Sequence, residues 1–82
     1  MPSKVAVLFK VYAEEGHEDE TAARIKETLK PNSMQLEDVA FGIKIIKVLF
    51  VHEDNVGSSS FEEKLRKVSG VTEVEVSEES LI

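Results

Sequence analysis

Chemistry requires particular side chains at particular spacings, so nucleophiles, bases and metal ligands come first. The 82 residues include no cysteine, which removes thiolate catalysis, disulfides and cysteine-ligated metals. The two histidines, His17 and His52, stand apart, in no spacing that makes a triad or a metal-binding pair. Each reads as a structural or solvated side chain at the end of an element. Acid pairs recur at Glu14-Glu15, Glu62-Glu63 and Glu78-Glu79. Two-carboxylate catalysis needs a pocket that drives two pKa values apart; these pairs fit exposed, solvated positions instead. The run Glu18-Asp19-Glu20 reads as the solvated first turn of a helix, where acids complement the dipole, and not as a metal site. Gly16, Gly42, Gly57 and Gly70 are too scattered for a phosphate loop. No catalytic residue and no metal site is expected. The residues point to a protein that works by binding.

Charge narrows what it binds. Sixteen acidic against ten basic residues give a formal net charge of −6. That balance disfavours phosphate-backbone binding, which draws on lysine and arginine. The aromatics Phe9, Tyr12, Phe41, Phe50 and Phe61 carry no basic-aromatic signature around them, so stacking on RNA bases is not expected either. A basic protein partner is compatible with the charge. Met1-Pro2-Ser3-Lys4 leads into an apolar segment that carries Lys10 and lacks a small-residue cleavage site. It reads as a strand and not as a signal peptide. No apolar run nears the roughly 20 residues of a membrane span. The expectation is one soluble, cytoplasmic domain over residues 1–82.

The elements that must position any binding residues follow from periodicity. Lys4 to Tyr12 alternates, with Val5, Val7, Phe9 and Val11 on one face, as a strand does. From Glu18 to Lys30, Ala22, Ile25 and Leu29 make one helical stripe that Pro31-Asn32 ends. Met34 to Asp38 is a short second strand, with Met34, Leu36 and Asp38 on one face. Ala40-Phe41-Gly42 is a turn, and Ile43 to His52 is a third strand. In that strand Lys44 and Lys47 both want water, which a strict period of two forbids. A β-bulge near Ile45-Ile46 is therefore predicted.

Glu53 to Ser59 reads as a polar loop, with Ser58-Ser59-Ser60 as ordinary loop composition. Ser60-x-x-Glu63 has capping-box spacing and places a helix start at Ser60. Phe61, Leu65 and Val68 form its stripe, and Gly70 its C-terminal stop. Val71 to Ser77 is the last strand, with Val74 and Val76 inward and Glu73 and Glu75 outward. The order β-α-β-β-α-β predicts a ferredoxin-like α+β sandwich: a four-stranded antiparallel sheet with two helices on one face. Right-handed crossovers put the first and third strands in the middle. Ala6, Leu8, Leu49 and Val51 would then share the sheet face away from the helices, as a partner or self-association patch or as a shallow surface covered by lysine and glutamate stems. Acylphosphatases share this topology but carry an arginine-bearing phosphate loop after the first strand. Here that place holds Ala13-Glu14-Glu15-Gly16.

Val39-Ala40-Phe41-Gly42-Ile43-Lys44 resembles the Ile/Val-Ala/Gly-Phe-Gly-Ile-Lys signature of elongation factor 1-beta exchange domains. Phe50-Val51-His52-Glu53-Asp54 resembles the end of that family's third strand. Val68-Ser69-Gly70-Val71-Thr72-Glu73-Val74-Glu75-Val76 looks like the Gly-Val, acid-rich last strand of its archaeal branch. The resemblance spans nearly the whole chain. It implies a guanine-nucleotide exchange domain that binds elongation factor 1-alpha in its GDP form and speeds nucleotide release, with no cofactor, no nucleic acid and no membrane.

The same resemblance implies the site. Phe41 would dock against the second domain of the GTPase, with Ala40, Gly42 and Lys44 around it, and the chain end, Glu79, Ser80, Leu81 and Ile82, would reach toward its magnesium site. In the eukaryotic branch a lysine beside the C-terminus enters that site. This chain ends Glu78-Glu79-Ser80-Leu81-Ile82, so lysine displacement of magnesium does not carry over. Three alternatives stand for the tail: Glu78 or Glu79 competing for the metal's ligands, Leu81-Ile82 as an apolar wedge, or a frayed, solvated terminus. Two rival functions remain on sequence grounds. One is an ACT-type small-molecule regulatory module, with Gly16 near the place where such domains carry a glycine. The other is a structural subunit that binds without changing nucleotide kinetics. Oligomeric state is not legible.

Overall fold

The computed structural model describes residues 4–53, 57 and 59–82. Its elements are β1 (Lys4–Ala13), α1 (Glu18–Leu29), β2 (Ser33–Ala40), β3 (Ile43–Glu53), α2 (Ser59–Arg66) and β4 (Val71–Leu81). The sheet is antiparallel in the order β2-β3-β1-β4. This is the expected ferredoxin-like arrangement, with the two most apolar strands, β1 and β3, in the centre. The core lies between the sheet and the helices. Val7, Phe9 and Val11 from β1, Ile46, Val48 and Phe50 from β3, Ala22 and Ile25 from α1, Leu65 from α2 and Val74 from β4 form one buried cluster. Phe50 holds it together at the α2 end, edge-on to Phe9 at 6.0 Å and stacked on Phe61 at 4.6 Å between centroids.

β3 departs from expectation in an informative way. Its pairing with β1 runs without a shift from Lys4↔Glu53 to Val11↔Ile46, so there is no bulge at Ile45-Ile46. The two lysines lie on opposite faces, and each has its own acid. Lys44 is on the helix side, 3.8 Å from Asp19 at the start of α1. Lys47 is on the open side, paired with Glu37 of β2. Ile45 and Ile46 are both buried, one on each face, so a strict period of two accommodates all four residues. The register shifts fall on the edge strands: between Asp38 and Ala40 in β2, and in β4 opposite Leu8/Phe9 and Tyr12/Ala13. Edges are where an extra residue disrupts only one ladder.

The Lys47 pair has a measurable signature. Its hydrogen bond and its charge, helped by Lys10, hold the Glu37 carboxyl below the usual glutamate range. A lowered folded-state pKa favours folding above the ordinary glutamate pKa and loses that contribution as pH falls through the lowered value. Carboxyl NMR titration is expected to show Glu37 titrating at lower pH than a free glutamate. Lys47→Met is expected to return it to the ordinary range, and an unchanged midpoint in that variant would disprove the assignment. Because the pair is exposed, little effect on overall stability is expected.

Five further expectations are corrected. Glu18 is only 7% exposed, so the acidic first turn of α1 is solvated at Asp19 and Glu20 alone. α2 begins at Ser59, not Ser60; the Ser60 hydroxyl donates back to the Gly57 carbonyl at 3.3 Å, so Ser59 and Ser60 are helix and not loop. The rest of the loop expected before it, at Asp54, Asn55, Val56 and Ser58, lies outside the described residues, as do residues 1–3. α2 ends at Arg66, four residues before Gly70, which instead turns the chain into β4 beside α1. Finally, β4 runs past Ser77 to Leu81, and the Ile82 amide donates to the Lys4 carbonyl at 2.8 Å. The terminus is therefore paired to β1 and not frayed. α2, eight residues and roughly 12 Å long, covers only the first part of this eleven-residue strand. Val74 is buried beneath it, whereas Val76, expected inward, is 43% exposed.

Candidate functional site

The β2–β3 connection is a two-residue hairpin. Ala40 pairs with Ile43, and Phe41 and Gly42 fill the turn with φ of +52° and +77°. Two positive φ values make the turn whose twist matches that of the flanking strands, and its preferred residues are asparagine, aspartate and glycine. Gly42 meets that demand. Phe41 does not: an L-residue in the left-handed region costs about 1–2 kcal/mol, and a bulky aromatic is a rare occupant.

The Phe41 side chain gains nothing within the fold to offset this, being 100% exposed. A strained backbone presenting an unburied aromatic is the most unusual local feature among the described residues, and such features concentrate at functional sites. Flanking the turn are Val39 and Ile43, 47% and 46% exposed. Both stand in the family-like run, but neither was expected as a site residue. The available signal was an apolar run, Val39 to Ile43, passing through a tight turn without a polar residue.

The other expected site residues lie elsewhere. Glu79 pairs with Val7, Ser80 with Ala6 and Leu81 with Val5, at the start of β1. The hairpin tip lies beyond the end of β1. The eight expected residues therefore form two poles and not one cluster. Ala40, Phe41, Gly42 and Lys44 are at one, and Glu79, Ser80, Leu81 and Ile82 at the other. At about 3.3 Å per residue along β3, the poles stand on the order of 30 Å apart. The register shift between Leu8 and Phe9 opposes Val76 to Phe9 and Glu78 to Leu8, leaving Ser77 between them. It thereby places Glu79 and Leu81 on the helix side of the sheet, beyond the reach of α2. Leu81 and Ile82 are 70% and 69% exposed there, while their backbones are held by β1. The tail is an ordered apolar edge.

The histidines have structural surroundings. His52 is buried beside Phe61, with Nδ1 2.7 Å from the Glu53 carbonyl. His17 precedes α1, and its carbonyl accepts the Thr21 hydroxyl at 2.9 Å. Among the described residues no group of three or more histidine, aspartate or glutamate side chains is placed to hold a metal, and no helix is long and apolar enough to cross a membrane. Ala6 and Leu8 lie opposite Val51 and Leu49 on the open face, as the alternation implied, and all four are half-buried.

Compared with known families, residues 6–82 match the family model described as the EF-1 guanine nucleotide exchange domain. No curated protein matches the chain.

Proposed function

The chain belongs to the family of EF-1 guanine nucleotide exchange domains, and on that premise we propose how its two poles act. Its function is guanine nucleotide exchange in translation elongation, and its partner is a translation elongation GTPase. The small-molecule regulatory alternative has no finding in its favour.

The finer reading is that residues 1–82 form one cytoplasmic exchange domain of the archaeal elongation factor 1-beta type, acting on elongation factor 1-alpha in its GDP form. The strained, fully exposed Phe41 carries this reading. It serves as the anchor against the second domain of the GTPase, flanked by Ala40, Gly42 and Lys44. The opposite pole, Glu79 to Ile82, faces the nucleotide site. A rigid sheet connecting two contacts roughly 30 Å apart suits a partner that must be gripped on one domain while its nucleotide site is disturbed on another.

No covalent step is required. A factor that binds the nucleotide-free GTPase more tightly than the GDP-bound form weakens GDP binding by the same ratio, because the coupling is reciprocal. All of the effect lies in that differential affinity. Within Glu79 to Ile82 the contribution is assigned to the side chains of Leu81 and Ile82, 70% and 69% exposed.

Stopped-flow release of fluorescent GDP from elongation factor 1-alpha tests this. The intact protein is expected to accelerate release strongly. The pair Leu81→Ser and Ile82→Ser, which keeps the backbone pairing to β1, is expected to reduce the acceleration at least tenfold with an unchanged melting temperature. Acceleration that survives both substitutions would remove the tail from the mechanism. No acceleration by the intact protein with an active GTPase would leave a structural binding subunit.

A further inference from the structure

A groove of about 240 Å³ runs between α1 and the end of α2, lined by Arg24, Thr28, Lys64, Lys67, Val68 and Ser69. Its charge contrasts with that of the molecule. The chain carries sixteen acids and ten bases, yet three of those bases line this one concavity, and no carboxylate does.

The partners of the cations show which of them are committed within the fold. Arg66, at the end of α2, is committed through Nη2, which donates to Glu62 at 3.0 Å and to the Val74 carbonyl at 3.1 Å. Arg24 is half committed. Its Nη1 donates to the Ser69 carbonyl at 3.0 Å, and Nη2 lies 3.7 Å from the exposed Glu20. The first of these bonds fixes the guanidinium against the groove wall. Lys64 Nζ lies over the Phe61 ring, 5.8 Å from its centroid, and among the described residues neither Lys64 nor Lys67 has a carboxylate in ion-pair range. Lys64 and Lys67 are three apart, and so share one side of the chain as it leaves α2. The groove thus has a guanidinium held in place, two ammonium groups with unused donors, and the hydroxyls of Thr28 and Ser69.

We propose that this groove binds a compact phosphate-bearing anion, a pyrophosphate or the diphosphate end of a nucleotide. The volume is below the roughly 300–1,000 Å³ of drug-sized pockets, which fits a charged group and not a large apolar ligand. The donors outnumber what one carboxylate accepts, whereas a diphosphate offers several oxygens in different directions. Lysine acts there as a point charge and arginine as the oriented fork. The site lies on the helix side, between α1 and the end of α2.

The test uses the isolated chain. Pyrophosphate, inorganic phosphate and GDP are titrated against amide and side-chain NMR signals, with sodium chloride at matched ionic strength as the control. Saturable shifts confined to Arg24, Thr28, Lys64, Lys67 and Ser69 are expected with pyrophosphate, weakened at least tenfold in Lys64→Gln/Lys67→Gln. GDP binding as tightly as pyrophosphate would identify a nucleotide's phosphate end as the source. GDP binding much more weakly would identify free polyphosphate. Shifts that merely follow ionic strength, or that persist unchanged in the double variant, would overturn the proposal. Because no GTPase is present, either outcome leaves the exchange assignment untouched.

Discussion

Phe41→Ala is expected to lower the acceleration of GDP release by roughly 30- to 1,000-fold at limiting protein concentration, without loss of folding. An aromatic side chain buries about 150–250 Å² on docking, which at about 25 cal/mol per Å² is a gross gain of roughly 4–6 kcal/mol. Only part of that survives ordering and desolvation costs, and single anchors are worth about 2–4 kcal/mol. Phe41 starts from complete exposure, so nearly all of its area is available to a partner. Its backbone is already fixed by the two-residue turn.

A second substitution at the same position separates binding from stability. In the free protein Phe41 buries nothing and strains the backbone at φ +52°. Phe41→Asn retains a residue that tolerates the left-handed region, and is expected to raise the melting temperature by several degrees, since about 1 kcal/mol moves a domain of this size by roughly 4–8 °C. Activity should fall while stability rises. If Phe41→Ala exchanges GDP as fast as the unmodified chain at every concentration, the hairpin is not the anchor. If Phe41→Asn instead melts earlier, the turn is not strained as described.

The central strands were legible because burial and alternation agree there. Val5, Val7, Phe9 and Val11 were assigned to one face by periodicity alone, and they are 9% exposed or less. The end of β4 was not legible. Ser77-Glu78-Glu79-Ser80 has low strand propensity on either face, and its strand state depends on unpaired backbone groups that β1 offers, a tertiary term with no local signature. The misplaced bulge has a similar origin. Lys44 and Lys47 were read as sharing a need for water on one face, whereas Asp19 and Glu37 make either face acceptable.

The candidate site was half legible. The hairpin residues were found through the family-like motif, and the strain at Phe41 could have been inferred once the loop was known to be two residues long. The separation of the two poles could not be read locally, because it follows from the antiparallel register of the whole sheet. Nor was the basic groove, whose cations come from residues forty apart in the chain.

Gly70→Ala is expected to be the most damaging single-methyl change among the described glycines. At φ +96° an alanine pays the left-handed strain of about 1–2 kcal/mol, as it would at Gly57, where φ is +85° and a Cβ meets open space. At Gly70 the added carbon would also overlap the Thr21 hydroxyl. That hydroxyl cannot easily retreat: Thr21 is fully buried and donates to the His17 carbonyl at the start of α1. The Gly70 carbonyl meanwhile accepts the Glu14 amide at 3.0 Å, so the backbone is tied on the other side. Overpacking of this kind adds roughly 1–3 kcal/mol, for a total near 2–5 kcal/mol with the strain. A chain of this length has only about 4–12 kcal/mol in all. Gly70→Ala should therefore melt at least about 10 °C lower, and Gly57→Ala should lose distinctly less. Thr21→Ala placed on the Gly70→Ala background should recover part of the loss, a favourable coupling between residues in contact. Equal losses at the two glycines would show that strain alone acts, and that the approach of the Gly70 turn to α1 is looser than its hydrogen bonds imply.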